Sequence, residues 1–238
     1  MPDDERLASA AAQFGRDSRK EFDRAVKELI ALAFLYARAG ADFLWDMDEN
    51  LLREAHRICR NLSDTLAEKA MAIARGVVED SVGDYEPEED EELVERFDMQ
   101  GSHLLDLLEI WLALAFIHGI AQSELRVLIS RYLSNPAASP LWRGLPKDVL
   151  AWGRGYPKNI PGQISAIGQT AIVTAYREAE RKDAEAKGYA YYIRRRGSNY
   201  DCPTCDEMCG YPIPIDVPFE IPHPRCMCRA EYHFADEQ

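Results

Sequence analysis

The chain has 238 residues, of which 47% are hydrophobic and 29% are charged, a balance typical of globular rather than disordered proteins. Its net charge of −13 and pI of about 4.9 argue against non-specific binding of duplex nucleic acid by the whole surface, because phosphate contacts need clustered lysine and arginine. The length fits one large domain or two small ones.

Apolar residues recur at helical spacing through the first two thirds of the chain. The series from Phe22 to Ala37 predicts a helix that ends near Gly40. A second series predicts a long amphipathic helix over about 48–80, with Cys59 near its apolar face as a small core residue. The acidic stretch 83–92, GDYEPEEDEE, indicates a solvated loop.

Helix is predicted to resume near residue 91 and again over about 102–133. The most apolar stretch, Leu104 to Ala121, carries Asp106 and Glu109, and its longest uninterrupted apolar run is eight residues. Because a bilayer span needs about 20 such residues, we expect no membrane span. The opening MPDDERLASAAAQ has no apolar signal segment, which argues against export to an oxidising compartment.

Residues 135–162 are rich in proline and glycine and contain two tryptophans, which predicts an ordered irregular segment with a short helix over 146–152. Residues 163–187 predict a clear helix, ended by Gly188. The aromatic and β-branched run Tyr189 to Arg194 predicts a strand.

A basic run, Arg194-Arg195-Arg196, follows directly on that predicted strand. It offers a possible weak contact with DNA phosphate or with an acidic partner. A solvated strand end is the favoured interpretation, because the run has neither interleaved aromatic residues nor a second basic patch.

Five of the six cysteines fall between residues 202 and 228, in a stretch that contains Cys202-Pro203-Thr204-Cys205 and His223-Pro224-Arg225-Cys226-Met227-Cys228. Zinc takes four thiolate or imidazole ligands, usually as two close pairs separated by a longer loop. Cys202 and Cys205 have the spacing of a knuckle turn, and Cys226 is the next ligand. His223 and Cys228 compete for the fourth position, with His223 slightly favoured. The sequence therefore predicts a structural Zn²⁺ site.

Other interpretations of the cysteines stay open at this point. Disulfides are an alternative that spacing alone does not remove. A dithiol redox centre is disfavoured, because nothing around Cys-Pro-Thr-Cys indicates a strand followed by a helix that would lower a thiol pKa. Cys209, beside Gly210, is expected to pack rather than to bind the metal.

A catalytic zinc would need three protein ligands, an open position and a general base. Here at least four good ligands favour a closed site, and we predict no catalytic residues. The remaining histidines are scattered and indicate ordinary helix or strand positions: His56, His103, His118 and His233.

The predicted fold is mainly α, with a small C-terminal α+β zinc-binding unit. Short strands over 210–217 and Ala230 to Phe234 would complete a small sheet that the metal pins. We predict a helical domain over 1–134, which includes the acidic loop, and a second domain with the zinc site over 135–238.

The order of elements near the end of the chain resembles the C-terminal domain of phage head morphogenesis proteins, the minor head proteins similar to the F protein of phage Mu. In that family a helix with an Ile-x-x-Thr motif precedes a strand, a Cys-x-x-Cys and a terminal His-Pro-x-Cys-Arg-Cys. The counterparts here are Ile167-Gly168-Gln169-Thr170, the Cys202 motif and Pro222 to Cys228. The resemblance covers about residues 145–234 and none of 1–134.

This chain departs from the family pattern at three places. Met227 stands where the family usually has arginine, Gln169 replaces a common arginine, and no glutamate follows Thr170. The resemblance implies a role in virion assembly without catalysis, with a portal or capsid protein as partner and an oligomer as a possible state. It places the protein in the bacterial cytoplasm during assembly and then in the virion interior. Related domains are also fused to toxins, but the helical first half here has no enzyme motif.

Overall fold

The computed structural model describes residues 2–38, 49–82, 93–102, 105, 124, 127–128, 130–131, 160–197, 202–223 and 226–235. Most of these residues are helical, and a small antiparallel sheet lies near the end of the chain, as predicted. The labelled elements are α1 Pro2–Arg38, α2 Glu49–Ser81, α3 Ile160–Ala186, β1 Tyr191–Arg195, α4 Pro203–Met208, β2 Pro212–Pro214 and β3 Arg229–His233. Residues 93–102 are helical as well.

Helix α1 begins at Pro2, much earlier than the apolar series from Phe22 indicated. Its buried stripe continues toward the start of the helix through Ser18, Phe14, Ala11 and Leu7. Alanine and serine on that stripe weaken the hydrophobic periodicity that marks a helix in the sequence. The predicted end near Gly40 lies outside the described residues.

Helix α2 agrees with its predicted span within one residue at each end. Ser63 lies in its interior and is fully buried, and its hydroxyl donates to the Cys59 carbonyl oxygen at 3.1 Å. This bond satisfies the hydroxyl within the helix, so the helix continues through it. Cys59 is a buried core residue, as predicted, and burial raises the pKa of its thiol to about 12.

Several predictions fall on residues outside the description. They are the acidic loop 83–92, the short helix 146–152, the irregular segment 135–159 and nearly all of the apolar stretch Leu104 to Ala121. Within the described residues, no helix combines the length and the hydropathy that a membrane span requires.

The chain forms two compact units, each built from separate stretches. The first contains the described residues of Met1–Gly15, Lys69–Glu89 and Ala166–Gln238. The second contains those of Arg16–Glu68 and Asp90–Ser165. This is a different kind of division from the predicted consecutive domains 1–134 and 135–238. The predicted boundary lies outside the described residues, so that assignment stays a prediction.

The second unit has an apolar helical core. Residues from α1, α2, the helical stretch 93–102 and the first turns of α3 bury large side chains there, including Phe22, Leu29, Leu51, Ile58, Phe97 and Ile164.

The first unit combines a helical part with the sheet. The buried guanidinium of Arg177 on α3 donates to Asp4 at 2.6 Å and to Glu180 at 2.7 Å. Burial lowers the pKa of Arg177, but the two carboxylates more than offset this and raise it above its usual value. The charged Arg177 thus links the start of α1 to α3 through its ion pair with Asp4.

The sheet has the order β2-β1-β3 with both pairs antiparallel. Tyr192 in β1 lies opposite Ile213 in β2 and Tyr232 in β3. Pro212 and Pro214 lie in the edge strand β2, where proline is tolerated because its missing N–H can face away from the ladder. All three predicted strands are present, with shifted ends. Gly188, at φ +85°, lies in the turn that ends α3, as predicted.

Candidate metal centre

All five predicted ligand residues come together beside the sheet. Cys202 is the N-cap of α4, and Pro203 occupies the first turn, where its missing N–H costs nothing. Cys205 follows within α4, while His223, Cys226 and Cys228 come from the segment that leads into β3. We call these five residues the Cys/His cluster.

Cys205 is at the centre of the Cys/His cluster. The His223 Nε2 atom lies 3.1 Å from the Cys202 Sγ atom and 3.0 Å from the Cys205 Sγ atom. The Sγ atoms of Cys205 and Cys226 are 3.8 Å apart. Two groups of donor atoms, each within 4.8 Å of one another, share Cys205: one adds Cys202 and His223, and the other adds Cys226 and Cys228. Thiol and imidazole donors at these separations could hold a metal ion.

The Cys/His cluster forms the core of the sheet region. Cys205, Cys226 and Cys228 are each at most 2% exposed, Cys202 is 9% exposed, and His223 is half-buried. The cysteines pack with Tyr192 and Phe219 in one buried group. The donors therefore lie where an ordinary domain would place aliphatic side chains, and not in an open surface cleft.

Burial and hydrogen bonds give the thiols of the Cys/His cluster unequal pKa values. Burial raises the pKa of Cys205 to about 12. The side-chain interaction with Cys228, together with burial, raises the pKa of Cys226. Hydrogen bonds from Cys226 and from the Gly197 backbone N–H lower the pKa of Cys228 to about 5, against the effect of burial. Cys228 is therefore the most acidic of these three thiols.

Gly197 is a residue of the site that sequence reasoning missed. A Cβ atom at this position would overlap the backbone carbonyl of Met227. The absence of a side chain thus lets two backbone segments cross at the Cys/His cluster, where the Gly197 N–H reaches Cys228. A glycine after three arginines gives no signal of such a crossing in one sequence.

Cys209 packs against the Cys/His cluster, as predicted, and is partly buried. All six cysteines are free thiols in this structure, so the disulfide alternative gains no support. The sequence did not indicate a helix at Cys-Pro-Thr-Cys, but the six-residue α4 begins directly after Cys202. A six-residue helix is too short to show periodicity. A dithiol centre would still leave His223, Cys226 and Cys228 unexplained.

The three arginines of the basic run have separate environments. Arg194 is 2% exposed, whereas Arg195 pairs with Glu231 and Arg196 with Asp206. A buried guanidinium and two paired ones do not form the free basic patch that phosphate binding needs. The possible DNA contact stays a prediction without a supporting feature here.

The scattered histidines take no part in the Cys/His cluster within the described residues. His56 is exposed on α2, and His233 in β3 stacks on Tyr191 with the ring centroids 5.1 Å apart. His103 and His118 lie outside the description.

The chain matches no protein-family model, no curated protein and no solved structure. Its function is therefore inferred from the geometry of the Cys/His cluster and from the sequence motif around it.

Proposed function

We propose that this protein is a phage or prophage minor head protein that binds a portal or capsid protein during virion assembly and whose Cys/His cluster binds a structural Zn²⁺. The metal part rests on four zinc-type cysteines buried in the core of the sheet, with the half-buried His223 beside them. The assembly part rests on the resemblance of Pro222 to Cys228, and of the elements before it, to the head morphogenesis family.

The donor geometry supports zinc. In a tetrahedral site with Zn–S bonds of about 2.3 Å, two sulfurs lie about 3.8 Å apart. The Cys205 and Cys226 sulfurs have this separation. The zinc ligands of the proposal are Cys202, Cys205, Cys226 and either His223 or Cys228. Since Cys205 belongs to both donor groups, it is a ligand in either set.

A structural role follows from where the donors lie. Small units with little apolar core are commonly folded only with a metal, because the free energy of metal binding is then folding free energy. Bound zinc would tie α4 to the segment before β3. Tyr192 and Phe219 pack on the ligands, and the Tyr192 hydroxyl donates to the Val217 and Pro218 carbonyl oxygens at 3.3 and 3.2 Å.

The proposal is of a protein without catalytic activity. A hydrolytic zinc keeps one position open for water, but five donors compete here for four positions. A general base is also needed near the metal. Among the described residues, His56 is exposed on α2 and His233 is stacked in the sheet, so neither is placed for that role.

The acidic surface supports a protein partner over DNA, because its net charge of −13 repels phosphate. The helix motif contributes less to the assembly argument. The Thr170 hydroxyl donates to the Ala166 carbonyl oxygen at 2.7 Å and so is satisfied within α3. The proposed protein is synthesised in the bacterial cytoplasm and becomes part of the virion interior during assembly.

Metal content tests the first half of the proposal. Purified protein, analysed by inductively coupled plasma mass spectrometry, should carry about one zinc per chain. Zinc K-edge absorption should give sulfur-dominated four-coordination. A metal-free protein after purification and zinc reconstitution, or a zinc with bound water, would contradict it.

Association tests the second half. The chain should co-purify with the portal or major capsid protein encoded beside its own gene when the two are co-expressed. Cys205→Ser should abolish that association if the folded sheet carries the binding surface, while Cys209→Ser serves as the matched control. If wild-type zinc-loaded protein repeatedly fails to associate at moderate salt, the assembly role is wrong and the metal site still stands.

A further inference from the structure

Arg194 is the largest fully buried side chain in the described structure. It lies in β1, two residues after Tyr192 and on the same face of the strand, because side chains alternate along a strand. Its backbone carbonyl accepts from the Gly210 N–H at 3.1 Å, which fastens β1 next to Cys209. The central strand β1 therefore buries a positively charged guanidinium beside the Cys/His cluster.

The contacts of Arg194 are unusual for a buried guanidinium. Its Nη1 atom lies 3.8 Å from the Met208 sulfur, its charge lies 4.3 Å from the centre of the Phe219 ring, and its Nε atom has no hydrogen-bond partner. Among the described residues, no carboxylate forms an ion pair with it. A buried charge without an opposite charge is strongly unfavourable, so a counter-charge is expected nearby.

The other buried arginines of the first unit are neutralised by carboxylates. Arg177 pairs with Asp4 and Glu180, and Arg181 pairs with Glu178 and Glu185. Each of these guanidinium groups faces two carboxylates. Arg194 instead contacts the Phe219 ring, the Met208 thioether and the uncharged Tyr192 hydroxyl. Tyr192 and Phe219 pack with the cysteines, so the Cys/His cluster is the nearby source of negative charge.

The charge of a zinc–thiolate centre has the sign that Arg194 needs. Zn²⁺ with three thiolates and one neutral histidine carries a net charge of −1, and with four thiolates it carries −2. Phe219, on which the guanidinium lies, belongs to the same buried group as the four ligand cysteines.

We propose that Arg194 is the internal counter-charge of the metal–thiolate centre, a positioning residue that stabilises the negatively charged ligand set without binding the metal. This inference rests on the proposed zinc site. It explains why one arginine of the basic run is buried while its two neighbours remain at the surface.

The test measures zinc affinity by competition with a chromophoric chelator. Arg194→Met keeps an unbranched apolar side chain in place of the arginine stem and removes the charge, whereas Arg194→Lys keeps the charge. Arg195→Met removes a neighbouring charge that pairs with Glu231 at the surface. Groups just outside a metal's ligands typically change metal affinity 10- to 100-fold. We expect Arg194→Met to weaken zinc binding by about that factor. Arg194→Lys and Arg195→Met should remain within about threefold of wild type.

Loss of packing predicts a different pattern from loss of charge. If Arg194 only fills space on Phe219, Arg194→Met should bind zinc as tightly as wild type, or both Arg194 variants should weaken it equally; either result overturns the inference. If wild-type protein binds no zinc, the proposed metal site fails instead. If Arg194→Met does not fold, Arg194→Gln takes its place as the uncharged variant. Equal zinc affinities of Arg194→Gln and Arg194→Lys would then contradict the proposed role of Arg194 as a counter-charge.

Discussion

The helical part and the sheet part of the first unit bury their interiors with different chemistry. The helices bury aliphatic and aromatic side chains, including Leu7, Phe14, Ile172, Val173 and Tyr176. In the core of the sheet, four of the six buried members are cysteines, and only Tyr192 and Phe219 are large apolar residues. The hydrophobic effect can therefore hold the helices together, whereas the sheet has few large apolar side chains and, in the proposal, is held by zinc bound to its cysteines.

The same contrast extends to buried charge. In the helical part, Arg177 is neutralised by side chains of the protein itself. In the sheet, Arg194 lacks such a partner among the described residues. If the proposed zinc site is right, the helical part is complete as a polypeptide, whereas a zinc–thiolate centre fills the core of the sheet and supplies the negative charge that Arg194 lacks. Three substitutions test this difference.

The largest effect is expected for Cys205→Ser, which removes the donor shared by both groups. Structural zinc sites contribute about 10–16 kcal/mol of binding free energy, more than many small domains have in total. The sheet should unfold while α1, α2 and α3 remain helical. Limited proteolysis should then yield a resistant fragment that ends before about residue 190.

Cys209→Ser is the control for that experiment, because Cys209 packs beside the Cys/His cluster without belonging to either donor group. It should retain the wild-type cleavage pattern. If Cys205→Ser makes the helices and the sheet unfold in one transition, the two parts share one cooperative core and the contrast drawn above is wrong.

A smaller effect is expected for Gly197→Ala. The added methyl group would overlap the Met227 carbonyl, and a backbone atom held between two ligands has little room to move. We expect a loss of about 3 kcal/mol, the upper end of what overpacking usually costs. A urea titration monitored by the release of zinc should show a lowered midpoint. An unchanged midpoint would mean that the two segments do not cross closely.

The smallest effect is expected for Gly168→Ala, the counterpart in the helical part. Its added methyl group would overlap the buried ring of Phe14, a side chain that can shift slightly. We expect a loss of about 1–3 kcal/mol of stability in urea titrations followed by far-ultraviolet circular dichroism.

Gly76→Ala provides the matched control in α2, because nothing lies within 4 Å of its added Cβ atom. It should gain about 0.5–1 kcal/mol from helix propensity alone. Equal effects of Gly168→Ala and Gly76→Ala would show that α1 and α3 do not pack closely at Phe14.

The parts of the structure that local patterns specify could be predicted from sequence. The span of α2 follows from a continuous apolar stripe, and the members of the Cys/His cluster follow from the spacing of Cys202, Cys205 and Cys226. The first half of α1 was missed because Ala11 and Ser18 interrupt the apolar signal although both are buried.

The features that depend on the path of the chain could not be predicted. Gly197 is needed because a segment about thirty residues further along crosses it. Arg194 is buried although the sequence places it in an exposed-looking basic run. The helix α4 had one local signal, Pro203 at its first turn, which a short segment makes easy to overlook.

The composition of the two units has a consequence for how the chain folds as it is made. All residues of the second unit have been synthesised once the ribosome passes residue 165, whereas the first unit joins the opening residues of the sequence to its last seventy or so. At roughly 5–20 residues per second, several seconds separate residue 165 from Cys228. Until α3 is complete at Ala186, the start of α1 lacks the helix that it packs against, and the Cys/His cluster is complete only once Cys228 has been made. A nascent chain stalled before residue 160, where α3 begins, should therefore leave the Leu7–Phe14 stripe exposed.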